Sequence, residues 1–340
     1  MTKTCDFNAI RDYQFAQQFD GFEQVLHIFN ADWHGVRAAS AYAPGQKIAI
    51  SERDGLDGEA IRHIFGIISK YKINRIVFQA YSHVASSLCE SIHRQFSGDV
   101  QIFVITHVTS TQFENGFEME MQALLLQQIS KGIVKRLGSV KPRFNSVIPA
   151  YWPETILNFS PNIGALALQM NTVEGTAFVP IENSWRKNLY TNMLAVHNCE
   201  AISTVFSVNF PTGLEKIRTM DKLSLTSFKR GPDLLGFMAS TEVVMNVTLA
   251  ECQPMTQLEA LAVGTPCMTA PLRLIEFEDD PLLELTEVEA LDSPHFLTKA
   301  LDRVIAVGRQ EDNELQEMID SHLEKRNLLA ALSYAEFLSL

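Results

Sequence analysis

Two glutamates, Glu251 and Glu259, stand eight positions apart in a segment that leads from an apolar strand into an apolar helix. Pro254 precedes this helix and Gly264 follows it, and both residue types are typical of helix boundaries. The free N–H groups of a helix N-terminus bind phosphate, and carboxylates accept hydrogen bonds from hydroxyls. The spacing therefore predicts a site for a ligand that carries both an anionic group and hydroxyls, as a phosphorylated sugar does.

The same segment resembles one family, the retaining nucleotide-sugar glycosyltransferases of the GT-B fold, whose second domain carries an E-x(7)-E motif. Glu251 and Glu259 occupy the two glutamate positions, and the resemblance implies that the first lies by the donor sugar while the second holds the ribose hydroxyls. The resemblance further rests on Glu259-Ala260, Ala262 and Gly264-Thr265-Pro266 at the family spacing, and it adds Pro254, Met255 and Thr256 as donor-binding residues. Cys252-Gln253-Pro254 departs from the family, which usually has Gly-Phe-Gly there.

A basic pair, Arg186-Lys187, follows the first predicted strand of the second half of the chain. Two positive charges at a helix start oppose the helix dipole, so an anionic ligand is a more favourable partner than solvent. The resemblance implies that this pair neutralises the donor diphosphate as it leaves. The alternative is an ordinary surface pair.

Two candidates lie in the first half, and both follow predicted strands. Gly35, within Asn30–Arg37, matches by resemblance the glycine-containing loop that lies under the donor diphosphate, although Trp33 and His34 could equally pack between domains. His107 takes a position where similar enzymes have a histidine that reaches the donor sugar or the acceptor. A capping or packing role is the alternative for His107.

These residues must be positioned by an α/β framework, because short apolar runs alternate with helical-period segments along most of the chain. The pattern predicts two Rossmann-like, doubly wound domains that face each other across a cleft, as the GT-B fold has. We assign 1–155 to an acceptor-side domain, 156–175 to a linker, 176–310 to the donor domain and 311–340 to a C-terminal helical segment. The predicted strands are Val25–Phe29, Lys47–Ile50, Arg75–Gln79, Val100–Ile105, Ala177–Ile181, Ile202–Val208, Leu223–Leu225 and Val243–Val247.

Composition narrows the class of protein. The 340 residues carry a net charge of −12, which opposes a broad, sequence-independent grip on nucleic acid. The five cysteines form no C-x-x-C pair, and no apolar run approaches the ~20 residues of a membrane helix. Together with the absence of a secretory leader pattern, these features predict a cytoplasmic protein without a transmembrane segment.

The resemblance implies a metal-independent, retaining hexosyltransferase that uses a nucleoside-diphosphate sugar, most simply of the UDP type, as co-substrate and needs no resident cofactor. Its acceptor could be a glycan, a lipid-linked sugar, a small molecule or a protein, and a homo-oligomer is possible. Two alternatives stay open. One is a non-catalytic partner or sugar-binding subunit of the same fold, and the other is a nucleotide-sugar epimerase.

Overall fold

The computed structural model describes residues 14–96, 98–164, 172–216 and 219–340. The chain divides into two compact units. Unit 1 comprises the chain up to Phe159 together with Asn327–Leu340, and unit 2 is Ser160–Arg326. Part of the predicted linker, residues 165–171, lies outside the described residues.

Unit 1 contains a five-stranded parallel sheet whose strands lie in the order β2-β1-β3-β4-β5. The central strands read as continuous apolar runs because helices cover both faces of such a sheet, and all six residues of β1 are buried. The strands are β1 (Val25–Asn30), β2 (Gln46–Ile50), β3 (Arg75–Gln79), β4 (Gln101–Thr106) and β5 (Arg136–Ser139), and the helices between them are α1 (His34–Tyr42), α2 (Gly58–Lys70), α3 (His83–Phe96) and α4 (Gly116–Ser130).

The register of this sheet brings the carboxyl ends of three neighbouring strands to one edge. Phe29 of β1 pairs with Gln79 of β3, and Gln79 pairs with Ile105 of β4. Gln79 is therefore the last residue of the middle strand, and His107 lies just beyond the end of β4. Ligands of open α/β sheets bind outside this kind of edge.

Unit 2 repeats the architecture, with a second five-stranded parallel sheet in the order β10-β9-β6-β7-β8. Its last helix, α10, begins in unit 2, and the residues from Asn327 onward belong to unit 1. The strands are β6 (Val173–Val179), β7 (Thr204–Ser207), β8 (Leu223–Leu225), β9 (Thr241–Asn246) and β10 (Cys267–Thr269), and the helices are α5 (Leu189–Asn198), α6 (Gly231–Ala239), α7 (Met255–Ala262), α8 (Pro281–Thr286), α9 (Pro294–Gly308) and α10 (Glu314–Leu338).

Two parallel Rossmann-like units confirm the predicted fold class. All eight predicted strands are present, with ends that shift by a few residues, but β5 and β10 were not among the eight ranges. Among the described residues, no helix combines the length and the apolar composition needed to cross a bilayer.

Candidate functional site

The loop after β9 and the turn after β6 are joined by two hydrogen bonds. The backbone N–H of Leu249 donates to the carbonyl of Arg186 at 2.9 Å, and the Arg186 guanidinium donates to the carbonyl of Ala250 at 2.9 Å. Because β6 and β9 are neighbours in the sheet, their carboxyl ends place these two segments side by side. The two motifs that the sequence separates by 64 residues thus form one local structure.

Within this structure the predicted basic pair meets the first predicted glutamate. Lys187 Nζ donates to Glu251 Oε2 at 2.6 Å, and Arg186 Nη1 lies 3.7 Å from the same oxygen. The three side chains are each only about a fifth exposed, at 20%, 21% and 17% for Lys187, Arg186 and Glu251. A partly desolvated carboxylate between two cations is held more strongly than an exposed ion pair would be.

The turn that carries the basic pair has a defined backbone shape. Trp185–Lys187 form a short 3₁₀ helix, and Asn188 then adopts a left-handed conformation with φ of 58°. Asparagine tolerates this conformation better than most residues. Its side-chain amide donates to the carbonyls of Leu291 and Val247, which fixes the turn to the end of β9. The turn is therefore rigid at the residue next to Lys187.

The helix α7 begins shortly after Glu251 in sequence, as the motif predicts. Pro254 is its N-cap residue and supplies no side-chain cap, so no side chain of the cap occupies the first N–H groups of the helix. Met255 and Glu259 are buried, at 5% and 2% exposure, and Thr256 is half-buried. The structure thus places the Glu259 carboxylate below the surface, one helical turn along α7 from Thr256.

The departure at Cys252-Gln253-Pro254 has a structural explanation. All three residues are buried, and none has the positive φ that would call for glycine. Gln253 Oε1 accepts a hydrogen bond of 2.5 Å from the guanidinium of Arg326, whose side chain is 1% exposed. Burial lowers the pKa of Arg326 to about 10, so the group stays charged at neutral pH. A buried side-chain contact thus holds a loop that the family builds with glycines.

On the side of unit 1, His107 is partly buried and its Nε2 lies 2.8 Å from Gln79 Oε1. Burial lowers the pKa of His107 to about 4, because the charged imidazolium loses its hydration. The ring is therefore neutral at pH 7, in a form that can hydrogen-bond to sugar hydroxyls.

Gly35 lies in the first turn of α1 and not in a loop, which corrects the expected loop over Asn30–Arg37. A Cβ atom at Gly35 would meet no atom within 4 Å, so the surface above it is open. Trp33 packs edge-on against Phe117 with ring centroids 6.0 Å apart, and His34 Nδ1 lies 2.9 Å from the guanidinium of Arg37. Both side chains have contacts within unit 1.

Several residues that shape these sites escaped the sequence analysis. Gln79 is the polar last residue of an otherwise apolar strand, and that position is a signal that could have been noticed. Gln253 carried a signal as well, because it replaces the usual family residue. Arg326 and Tyr334, on α10, carried none. In the described ranges, no three His, Cys, Asp or Glu side chains converge as a metal site requires.

No family model matches the sequence, and no curated protein matches it either. Solved structures do match. Sucrose-phosphate synthase from Thermosynechococcus elongatus is 13% identical, with a TM-score of 0.59, and the match covers 93% of this chain and 99% of that one. An α,α-trehalose-phosphate synthase (UDP-forming) from Burkholderia vietnamiensis is 8% identical, with a TM-score of 0.56 and coverage of 93% and 100%.

A third match is the HepE protein of Anabaena, solved in complex with UDP and glucose, at 11% identity and a TM-score of 0.55, with coverage of 92% and 99%. The similarity spans both units of this chain and nearly the whole of each matched chain. The fold is therefore the two-domain GT-B fold of these proteins.

Proposed function

We propose that the protein is a glycosyltransferase that moves a sugar from a nucleoside-diphosphate donor to a hydroxyl acceptor. The observation that carries the proposal is the cluster of Lys187, Arg186 and Glu251. Glu251 shortly precedes α7 in sequence, and the N-cap residue of that helix supplies no side-chain cap. Positive charge suits a diphosphate, and so do the N–H groups at a helix N-terminus. The GT-B fold supplies the framework on which such sites are built, and the HepE complex with UDP supports a donor of the UDP type.

The chemical demand falls on the leaving group. In the transfer, the bond between the anomeric carbon and the diphosphate oxygen breaks, and the electron pair leaves with the diphosphate. The acceptor oxygen bonds to the same face of the anomeric carbon, so that configuration is retained, and the proton of its hydroxyl leaves with the phosphate. Arg186 and Lys187 stabilise the negative charge that grows on the leaving group, without need of a metal ion.

Glu251 has a second task in this scheme. Its carboxylate accepts the hydrogen bond of Lys187, so a diphosphate that binds to Lys187 must displace it. Once released, the carboxylate can accept a hydrogen bond from a hydroxyl of the donor sugar. Glu259 is the proposed partner of the ribose hydroxyls, and His107 the proposed partner of a hydroxyl on the donor sugar or the acceptor. The acceptor itself is a glycan, a lipid-linked sugar, a small molecule or a protein.

The thiols support a cytoplasmic site of action. In the described part of the chain four cysteines are buried and outside any disulfide, namely Cys89, Cys199, Cys252 and Cys267. Free thiols suit a reducing compartment. We therefore propose that the donor is drawn from the cytoplasmic pool of nucleotide sugars.

Incubation with UDP-, GDP- and ADP-sugars tests the proposal, with donor and product followed by mass spectrometry after chromatographic separation. We expect one donor to be consumed, and a loss of consumption in Lys187→Met. Lys299→Met, at an exposed lysine on α9 of the same unit, is the matched control. Binding of a nucleotide without consumption would favour the sugar-binding alternative, and an isomer of unchanged mass would favour an epimerase. If no nucleotide sugar binds, the proposed site is wrong.

A further inference from the structure

A continuous chain of hydrogen bonds runs through the core of unit 1 to His107. It starts at the carbonyl oxygen of Pro44, which lies 2.9 Å from His27 Nε2. The other ring nitrogen, His27 Nδ1, lies 3.1 Å from Gln79 Nε2. At its far end the Gln79 amide oxygen lies 2.8 Å from His107 Nε2. His27 and Gln79 are almost completely buried, at 0% and 1% exposure.

The donor and acceptor chemistry of these groups determines which atom carries the hydrogen in each of these hydrogen bonds. A carbonyl can only accept, so His27 Nε2 must carry the hydrogen that it shares with Pro44. His27 is neutral, because burial and the nearby charge of Lys47 lower its pKa to about 3. Its Nδ1 therefore has a lone pair and accepts from the Gln79 amide. This orients the amide with its oxygen toward His107, whose Nε2 must in turn donate.

Tyr334 satisfies the second N–H of the amide. Gln79 Nε2 also donates to the Tyr334 hydroxyl at 3.0 Å, and the Tyr334 side chain is fully buried on α10. The two N–H groups and the oxygen of the Gln79 amide all have partners, and a flipped amide would set its oxygen against the lone pair of His27 Nδ1 and lose that buried hydrogen bond. The segment that follows is turned sharply, since Ala80 has a positive φ of 63°, a strained conformation of the kind found at functional sites.

We propose that Gln79, held by His27 and Tyr334, is a positioning residue that keeps His107 in the Nε2–H tautomer, so that Nδ1 accepts a hydrogen bond from a substrate hydroxyl. The role toward substrate rests on the proposed transferase function. In the part of the chain that the structure describes, Gln79 is the hydrogen-bond partner of His107 Nε2. Within these described residues, the Nδ1 atom of His107 remains available to a ligand. A lone pair at Nδ1 accepts from an alcohol and repels phosphate or carboxylate oxygens. His107 thus selects for a hydroxyl of a sugar or of an alcohol acceptor.

The tautomers can be measured in the free protein, without any sugar. Long-range ¹H–¹⁵N spectra of protein labelled at histidine nitrogen distinguish the two neutral tautomers and the imidazolium. We expect His27 and His107 both to be neutral and protonated at Nε2 at pH 7. Protonation of His107 at Nδ1, or an imidazolium, would overturn the proposal.

Variants of Gln79 then test the positioning role. Gln79→Leu removes all three hydrogen bonds of the Gln79 amide, so His107 should become a mixture of tautomers, and kcat/KM for transfer should fall at least about tenfold, the factor that one net hydrogen bond corresponds to. Gln79→Glu keeps an acceptor for His107 Nε2–H, so His107 should retain its Nε2 proton in this variant, in contrast to Gln79→Leu. The matched control is Gln128→Leu, which removes a buried amide that bonds to Ser86 and Glu90 elsewhere in unit 1.

If Gln79→Leu has the same His107 tautomer and the same kcat/KM as Gln128→Leu, the proposal fails. If Gln79→Leu does not fold, the wild-type spectra and Gln79→Glu still decide the question. The predicted tautomers together with a complete absence of sugar transfer would support the hydrogen-bond chain and overturn the proposed function instead.

Discussion

Neutralising Glu251 should strengthen nucleotide binding while it slows transfer. Glu251 accepts from Lys187 at 2.6 Å and lies 3.7 Å from Arg186, so it occupies the cations that a diphosphate needs. In Glu251→Gln the side chain keeps its size and loses its charge. The diphosphate then no longer competes with a carboxylate, and no longer approaches one. In the proposed mechanism the donor sugar, in contrast, loses a charged acceptor for its hydroxyl.

The structure sets the size of the expected gain. A hydrogen bond to a charged group contributes about 1.5–3 kcal/mol net, against about 1 kcal/mol for a neutral pair. The Lys187–Glu251 contact is short and about a fifth exposed, so it belongs within the charged range. A glutamine at position 251 keeps a weaker hydrogen bond to Lys187. The diphosphate therefore displaces a contact that is weaker by roughly 1.4 kcal/mol. This corresponds to about tenfold tighter binding of UDP. We expect kcat to fall by at least about the same factor.

Isothermal titration calorimetry with UDP measures the affinity, and steady-state donor consumption measures kcat. The control is Glu289→Gln, which makes the same change in charge in an ion pair of the same unit. Arg273 Nη2 lies 2.9 Å from both oxygens of Glu289, but both side chains are about 70% exposed, at 72% and 71%. UDP affinity in this variant should equal that of the wild type. Equal or weaker UDP binding by Glu251→Gln would refute the reasoning, because the carboxylate would then not compete for the diphosphate site.

Two further predictions concern stability. Gln253→Ala should lower the free energy of unfolding by about 1.5–3 kcal/mol, because it removes an acceptor from the buried Arg326 guanidinium; urea unfolding measures this, and Gln316→Ala, at an exposed bond on the same helix, should cost less than about 0.5 kcal/mol. The free energy of unfolding should also fall with acidification. His27 has a pKa of about 3 in the folded protein and an ordinary value of 6.5. Its contribution to the free energy of unfolding is therefore complete above pH 6.5 and is lost progressively as the pH falls from 6.5 toward 3. The loss is about 2 kcal/mol at pH 5, from about 1.4 kcal/mol for each pH unit. Urea midpoints at pH 7.5, 6 and 5 test the slope, and a slope in His27→Gln as steep as in the wild type would contradict it.

The fold could be predicted from sequence because its strands are buried on both faces and read as apolar runs between helical segments. Strand β5 shows where this logic stops. It has four residues and begins with Arg136, whose guanidinium donates to the carbonyl of Phe337 and stacks on Trp152 at 4.5 Å. A side chain at Gly138 would collide with Phe337. The strand is thus completed by residues about 200 positions later, which no local pattern contains.

In the candidate site, too, some residues can be predicted from a local pattern and others only from the fold. Glu251, Glu259 and the start of α7 share one segment, so a spacing rule finds them together. The contact of Lys187 with Glu251 depends on the adjacency of β6 and β9, which follows from the sheet order rather than from the segment. The partners of Gln79 are more distant still, since His27 lies 52 residues before it and Tyr334 lies 255 residues after it. Polar networks of this kind become visible only when the fold is known.

The loop after Glu251 combines a local sequence feature with a contact to a distant residue. Glycines at positions 252 and 254 would leave its backbone free, whereas Pro254 restricts φ to −70° and Gln253 is tied to Arg326 on α10. Removing an acceptor from a buried guanidinium is costly, so Gln253 stabilises Arg326 in the folded protein. The change in the loop and the cation on the last helix are therefore one structural solution. The Gln253–Arg326 contact ties down the loop that follows Glu251, whereas glycines would leave that loop flexible. Arg326→Met should accordingly weaken UDP binding through the loop that Arg326 holds, which isothermal titration calorimetry would measure.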